Sequence, residues 1–145
     1  MRVSEKGGVV QIAPDHPEAA VAHVLLMEAI GAKELGFLDG FLKQLLSAGT
    51  QGRTADEHGL NFMLSVVKGI EPKDQVEAML AAQMAAVHMS TMTFARRLAH
   101  VENIQQQDSA ERAYNKLART FAAQVEALKR TGAEASRSSA WSTSQ

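Results

Sequence analysis

Residues 72–103 read PKDQVEAMLAAQMAAVHMSTMTFARRLAHVEN, and this run decides the fold. Beyond Pro72 no helix breaker occurs until Asn103. Leu80, Met84, Val87, Thr91, Phe94, Leu98 and Val101 recur at alternating spacings of four and three. Such spacing holds one stripe along an α-helix and makes a coiled-coil-like seam. A short polar link follows, Asn103 to Gln107, with Asp108 or Ser109 as the cap of a last helix. That helix, about 109–130, carries Ala110, Tyr114, Leu117, Phe121, Gln124 and Leu128 on the same spacing. Two such helices with a short connection fold back on each other, so a long antiparallel helical hairpin is expected.

Upstream the chain also reads as helix. A first helix starts near Pro17, keeps helical spacing through Val21, Val24 and Leu25, and stops at Gly31. A second runs from about Lys33 to Ala48, with Phe37, Leu38, Phe41, Leu42, Leu45 and Leu46 on one stripe. A third follows Thr54, with Glu57 completing a capping box, and closes at Gly69. The expected class is therefore all-α with about five helices. The expected organisation is an irregular N-terminal lead over 1–16, a single helical domain over 17–130, and a disordered tail over 131–145, which is small and polar. Val9, Val10 and Ile12 are the one strand-like run, and it is too short to carry a strand by itself.

Composition sets bounds on chemistry. The chain has 145 residues, 46% of them hydrophobic, enough to bury a core. Its formal net charge is −1, so no whole-chain field draws in nucleic acid or an acidic membrane. Cysteine is absent, which removes disulfides, thiolate nucleophiles and cysteine-based metal sites. No secretion signal and no apolar run of membrane-spanning length is read in the sequence, so a cytoplasmic protein without a membrane partner is expected.

Three stretches carry a resemblance: Val66 to Pro72 with Met79 to Met89, Thr93 to Asn103, and Gln107 to Arg130. Over about residues 55–130 the chain resembles a family of uncharacterised helical proteins of alphaproteobacteria. That family has no assigned activity, so the resemblance implies no catalytic or binding residue. Relatives continue past the equivalent of Lys129-Arg130 with a β-prone segment containing Val and His, whereas Ser, Ala and Arg take over here. A shifted reading frame near Gly132 would produce such a switch, and the gene sequence tests it.

Few residues suggest chemistry. His88 lies one turn from Met84 and from Met92, a soft ligand set in principle, although methionine is a routine filler of helical cores. Asp56-Glu57-His58 is an acidic trio at a helix start, where the helix dipole favours acids without any catalysis. No nucleophile, metal set or cofactor loop assembles, so neither an enzyme nor a cofactor is expected. A basic patch is the candidate for nucleic acid or another anion: Arg96, Arg97 and His100 on one arm of the hairpin, and Arg112, Lys116 and Arg119 on the other. A candidate self-association surface is formed by Ala78, Met79, Ala82, Ala85, Ala86 and Met89. The expected function is a non-enzymatic helical protein–protein interaction module. Its partner is a second copy or another helical protein, with nucleic acid at the basic hairpin tip as the alternative.

Overall fold

The computed structural model describes residues 1–143, apart from the side chain of Ala135; Ser144 and Gln145, the end of the expected tail, lie outside the described residues. Five helices follow a two-stranded sheet: β1 Arg2–Lys6, β2 Val9–Ala13, α1 Ala19–Ile30, α2 Leu35–Gly49, α3 Glu57–Ile70, α4 Gln75–Ala99 and α5 Ile104–Thr143. The class is all-α, as the helical spacing predicts. Where a single domain is expected over 17–130, the chain forms two compact units, Met1–Ala86 and the remainder from Val87.

The first unit begins with a correction. The expected irregular lead is an antiparallel β-hairpin, pairing Arg2 with Ala13 through to Lys6 with Val9. Gly7 and Gly8 make the two-residue turn, at φ 59° and 79°. Positive φ at both central residues matches the right-handed twist of the flanking strands, and glycine adopts it without strain.

Its core is built on α2 and α3. Leu38, Phe41, Leu42, Leu45 and Leu46 of α2 are buried, as are Leu60, Met63, Leu64 and Val67 of α3. Both sets lie at the helical spacing of an apolar stripe. Leu26 and Ile30 of α1 and Ala78, Ala81, Met84 and Ala85 of α4 complete it. The end of α2 and the start of α3 meet backbone to backbone. A Cβ built on Gly49 would stand 2.7 Å from the carbonyl carbon of Gly59, and one on Gly59 would meet the Gly49 carbonyl oxygen more closely still. Gly31, at φ 71°, ends α1 in the left-handed conformation and lies against the Pro72–Asp74 turn, where an added Cβ would come within 2.7 Å of the Pro72 carbonyl oxygen.

Several helix ends differ from expectation, and α4 ends at Ala99 rather than near Asn103. α3 is capped by Asp56, whose Oδ1 accepts from the Gly59 N–H at 2.9 Å, and the Thr54–Glu57 box does not form. It ends not at Gly69 but at Glu71, in the left-handed conformation with φ 54°. α4 starts at Gln75 rather than Pro72. Asp74 Oδ1 accepts from the Glu77 N–H, and Glu77 Oε2 accepts from the Lys73 N–H, both at 2.8 Å. α5 starts at Ile104 rather than after Asp108 or Ser109, because Asn103 Oδ1 caps the Gln106 N–H at 2.8 Å.

The second unit is a helical arm, made by α4 from Val87 onward and α5. The two helices run antiparallel: the His88 ring lies 6.1 Å from the Phe121 ring, and near the turn Phe94 and Val101 share a groove with Ser109 and Ala110. α5 does not stop near Arg130. It continues as helix to Thr143 through the segment expected to be disordered. No proline interrupts it, and hydroxyls fold back on carbonyls one turn earlier, as Thr131 does on Ala127 and Ser136 on Gly132. The described residues beyond Arg130 are exposed or, at Gly132, half-exposed, so this part of the helix has no buried face.

Gly59→Ala is expected to cost about 1–3 kcal/mol through overpacking. That corresponds to a melting temperature lower by roughly 4–8 °C per kcal/mol. Gly69→Ala, which meets nothing within 4 Å, is the control. There the helix gains about 0.5–1 kcal/mol. Thermal melts that rank the two variants the other way contradict the close contact of α2 with α3.

Candidate functional site

The acidic trio does structural work. Asp56 caps α3, and Glu57 Oε2 accepts from the Val3 N–H of β1 at 2.9 Å. His58 is exposed. Two of the three groups are thus committed to holding backbone. The soft-ligand set also separates: Met84 is buried in the core of the first unit, Met92 is exposed, and the His88 ring is set against Phe121. Among the described residues no group of three or more His, Asp or Glu is placed to hold a metal ion.

The basic residues are all exposed, and the structure sorts them. Arg97 lies over the Phe94 ring, 5.0 Å from its centroid, a cation–π arrangement. His100 Nδ1 is 2.9 Å from the Arg96 carbonyl oxygen, at the C-terminal end of α4. Arg97 and His100 line a groove of about 350 Å³ at the turn, with Phe94, Val101, Gln106 and Ala110. Arg96, Arg97 and His100 also border a second depression with Thr93. Arg112, Lys116 and Arg119 line neither; Arg119 Nε instead donates to the Asn115 carbonyl of its own helix at 3.3 Å. Among the described residues the ion pairs are Arg2–Asp15 and Lys43–Asp39, so none of the six is held by a carboxylate.

The expected self-association surface needs correction. Ala78 and Ala85 are buried at 0% and 1% exposure, inside the core of the first unit. Their small side chains are what that core accommodates, so neither offers a surface. Met79, Ala82 and Ala86 border a shallow groove of about 180 Å³ with Phe41, Leu45 and Met63. Met89 is half-buried in the arm. The six residues are therefore distributed over core, groove and arm.

A large concavity among the described residues was not legible from the motifs. It is an open cavity of about 720 Å³ in the first unit, between β2 and α2. Val10 and Ile12 line it from β2, and Leu35, Leu38 and Leu42 from α2. Lys43 and Asp39 meet at its rim at 2.8 Å, both well exposed, so their pairing adds little stability. A strand had to be recognised before this cavity had a wall. The signal was Gly7-Gly8 between two runs containing β-branched residues.

In the arm, Phe94, Leu98, Val101, Tyr114, Leu117, Phe121 and Leu128 are each half-buried. Ala110 is the arm's one fully buried apolar residue among the described ones; the other fifteen of the sixteen lie in the first unit. Gln124, on the same stripe, has its side-chain oxygen buried without a hydrogen-bond partner among the described residues. Gln124→Leu is expected to raise the arm's stability by about 1–3 kcal/mol, the cost of an unsatisfied buried polar group. A chemical-denaturation midpoint that falls instead would mean that Gln124 is satisfied in solution. No protein-family model, curated protein or solved structure matches this chain.

Proposed function

We propose that the chain is a non-enzymatic helical interaction module that self-associates through its two-helix arm. What supports this reading is the state of the seam. A pair of helices can cover only one side of each seam side chain. Seven large apolar or aromatic residues in the arm stay half-exposed, from Phe94 to Leu128. In the first unit, by contrast, the equivalent stripes of α2 and α3 are closed. Two arms brought together as a four-helix arrangement would cover the remaining side, by the same packing that builds four-helix bundles. A second copy supplies the matching stripe by symmetry. Another helical protein with the same spacing would serve as well.

A second reading places an anionic polymer on the arm. Its support is the charge distribution: from Val87 onward there are eight Lys/Arg against five Asp/Glu, giving +3, while residues 1–86 hold seven against eleven, giving −4. All six basic candidates are exposed and outside any ion pair among the described residues. Against it, Arg112, Lys116 and Arg119 do not join the groove that Arg97 and His100 line.

Leu117→Glu tests the first reading, since it sets an unpaired carboxylate in the middle of the seam. Self-association measured by sedimentation is expected to weaken by at least ~10-fold. An unmodified chain that sediments as a monomer at its highest soluble concentration sinks it. The second reading expects a gel shift with nucleic acid that fades steeply with added salt and is lost when Arg96, Arg97 and Lys116 become alanine. No shift at low salt eliminates it.

A further inference from the structure

The two strands of the hairpin differ in what lies along their outer edges. β1 is covered by α3. The Val3 N–H donates to Glu57 Oε2, the Met1 ammonium donates to Asn61 Oδ1 at 3.1 Å, and Asn61 Nδ2 donates to the Met1 carbonyl at 2.9 Å. Arg2, Glu5 and Lys6 add charge along the same strand. In an antiparallel pair, opposed residues point their backbone groups alternately into and out of the ladder. Because Val3 points outward, so does Ile12 opposite it; two positions along, Glu5 and its partner Val10 point outward as well. The free edge of β2 therefore consists of the N–H and C=O groups of Val10 and Ile12. Among the described residues none of these groups has a hydrogen-bond partner.

This edge also lacks the usual guards. β2 reads Val-Val-Gln-Ile-Ala, with no charge and no proline. Val9 and Val10 are 61% and 40% exposed. Proteins normally blunt such an edge with lysine, proline or a covering element. β1 has both charge and cover, and β2 has neither. The cavity of about 720 Å³ alongside β2 gives an added strand room, over Leu35, Leu38 and Leu42.

We propose that β2 pairs antiparallel with β2 of a second copy, about a two-fold axis at Gln11. The strand's own pattern suits this occupant. The outward groups of Val10 and Ile12 flank Gln11 symmetrically, so Val10 of one copy exchanges both backbone hydrogen bonds with Ile12 of the other, and the reverse. Side chains match in that register. Val10 faces Ile12 on one side of the sheet, a pair of β-branched residues, while Gln11 faces Gln11 and Val9 faces Ala13 on the other. No like charges meet across the axis. The result is a four-stranded sheet whose outer strands are the guarded β1 of each copy. This contact is separate from the arm and does not rest on the arm reading.

The test is hydrogen exchange by NMR on the unmodified chain, combined with sedimentation of two variants. The Val10 and Ile12 amides are expected to slow at least ~10-fold as concentration rises through the association range. Val10→Pro deletes an outward N–H that the hairpin ladder does not use, and proline is tolerated on an edge strand. Val10→Lys keeps the N–H but brings two cations near the axis. Both variants are expected to lower the assembled mass while far-UV circular dichroism stays unchanged. The proposal is overturned if the unmodified chain is a monomer, if both variants keep its mass, or if the two amides exchange at one rate at all concentrations. Should the proline variant fail to fold, the exchange data and Val10→Lys decide alone. Leu117→Glu leaves the protection of Val10 and Ile12 in place, so failure of the arm contact and failure of this one are read on different signals.

Discussion

The close approach of Gly49 and Gly59 is the constraint on which the first unit depends. With no Cβ on either side, the C-terminal end of α2 and the first turn of α3 come into backbone contact. Their apolar stripes, Phe41 to Leu46 and Leu60 to Val67, then face each other in register. A second small-residue contact works in the same way. Gly31 turns left-handed at the end of α1 and receives the Pro72–Asp74 turn, from which α4 starts. Lys33 secures that junction through its N–H, which Gln75 Oε1 accepts at 3.1 Å. Helix packing here is set by where side chains are missing as much as by where they are large.

That closure decides which polar groups remain free for function. Asp56, Glu57, Asn61, Asp74 and Glu77 are acids or amides of the kind that proton-transfer chemistry uses. Each instead accepts from, or donates to, backbone at a helix end or the sheet edge. Such groups are satisfied and fixed, and are poor candidates for proton transfer. What stays uncommitted is apolar or basic: the half-covered stripe of the arm, the exposed arginines near its turn, and the edge of β2. An interaction module is the reading that uses these surfaces.

The sequence made the helices legible because helical spacing is a local property. The seam residues from Thr91 to Val101 and from Ala110 to Leu128 all lie on the half-buried or buried side of the arm, as their four-three spacing predicts. Caps were less legible, since several residues near each boundary were chemically competent. Asp108 and Ser109 can cap a helix, but Asn103 with Gln106 three residues on is the pair that does so. The β-hairpin was missed for a different reason. A five-residue strand is marginal alone, and Glu57 and Asn61, more than fifty residues away, complete its outer edge. Two alanines of the α4 face, Ala78 and Ala85, are not surface, because periodicity shows that a face exists and not which neighbour covers it. Ala78 and Ala85 went into the core, whereas Met79 stayed 50% exposed. The small, polar composition of the tail predicts disorder, whereas its serines here bond to carbonyls of their own helix.

Assembly follows a symmetry argument once both proposed surfaces are considered together. A two-fold contact through the arm closes at two copies, and so does a two-fold contact through β2. One chain carrying both cannot satisfy them within a single pair unless the two axes coincide. Otherwise each contact adds a copy that the other has not used, and the assembly either closes at an even number of copies, four or more, or propagates as a filament. The composition of the two surfaces makes them respond differently. The β2 contact is backbone hydrogen bonding along an uncharged strand, which salt barely affects. The arm carries +3 around its stripe, so like-charge repulsion opposes arm pairing and added salt relieves it. Ionic strength thus favours the arm contact while leaving the strand contact as it is, which separates the two surfaces without altering a residue.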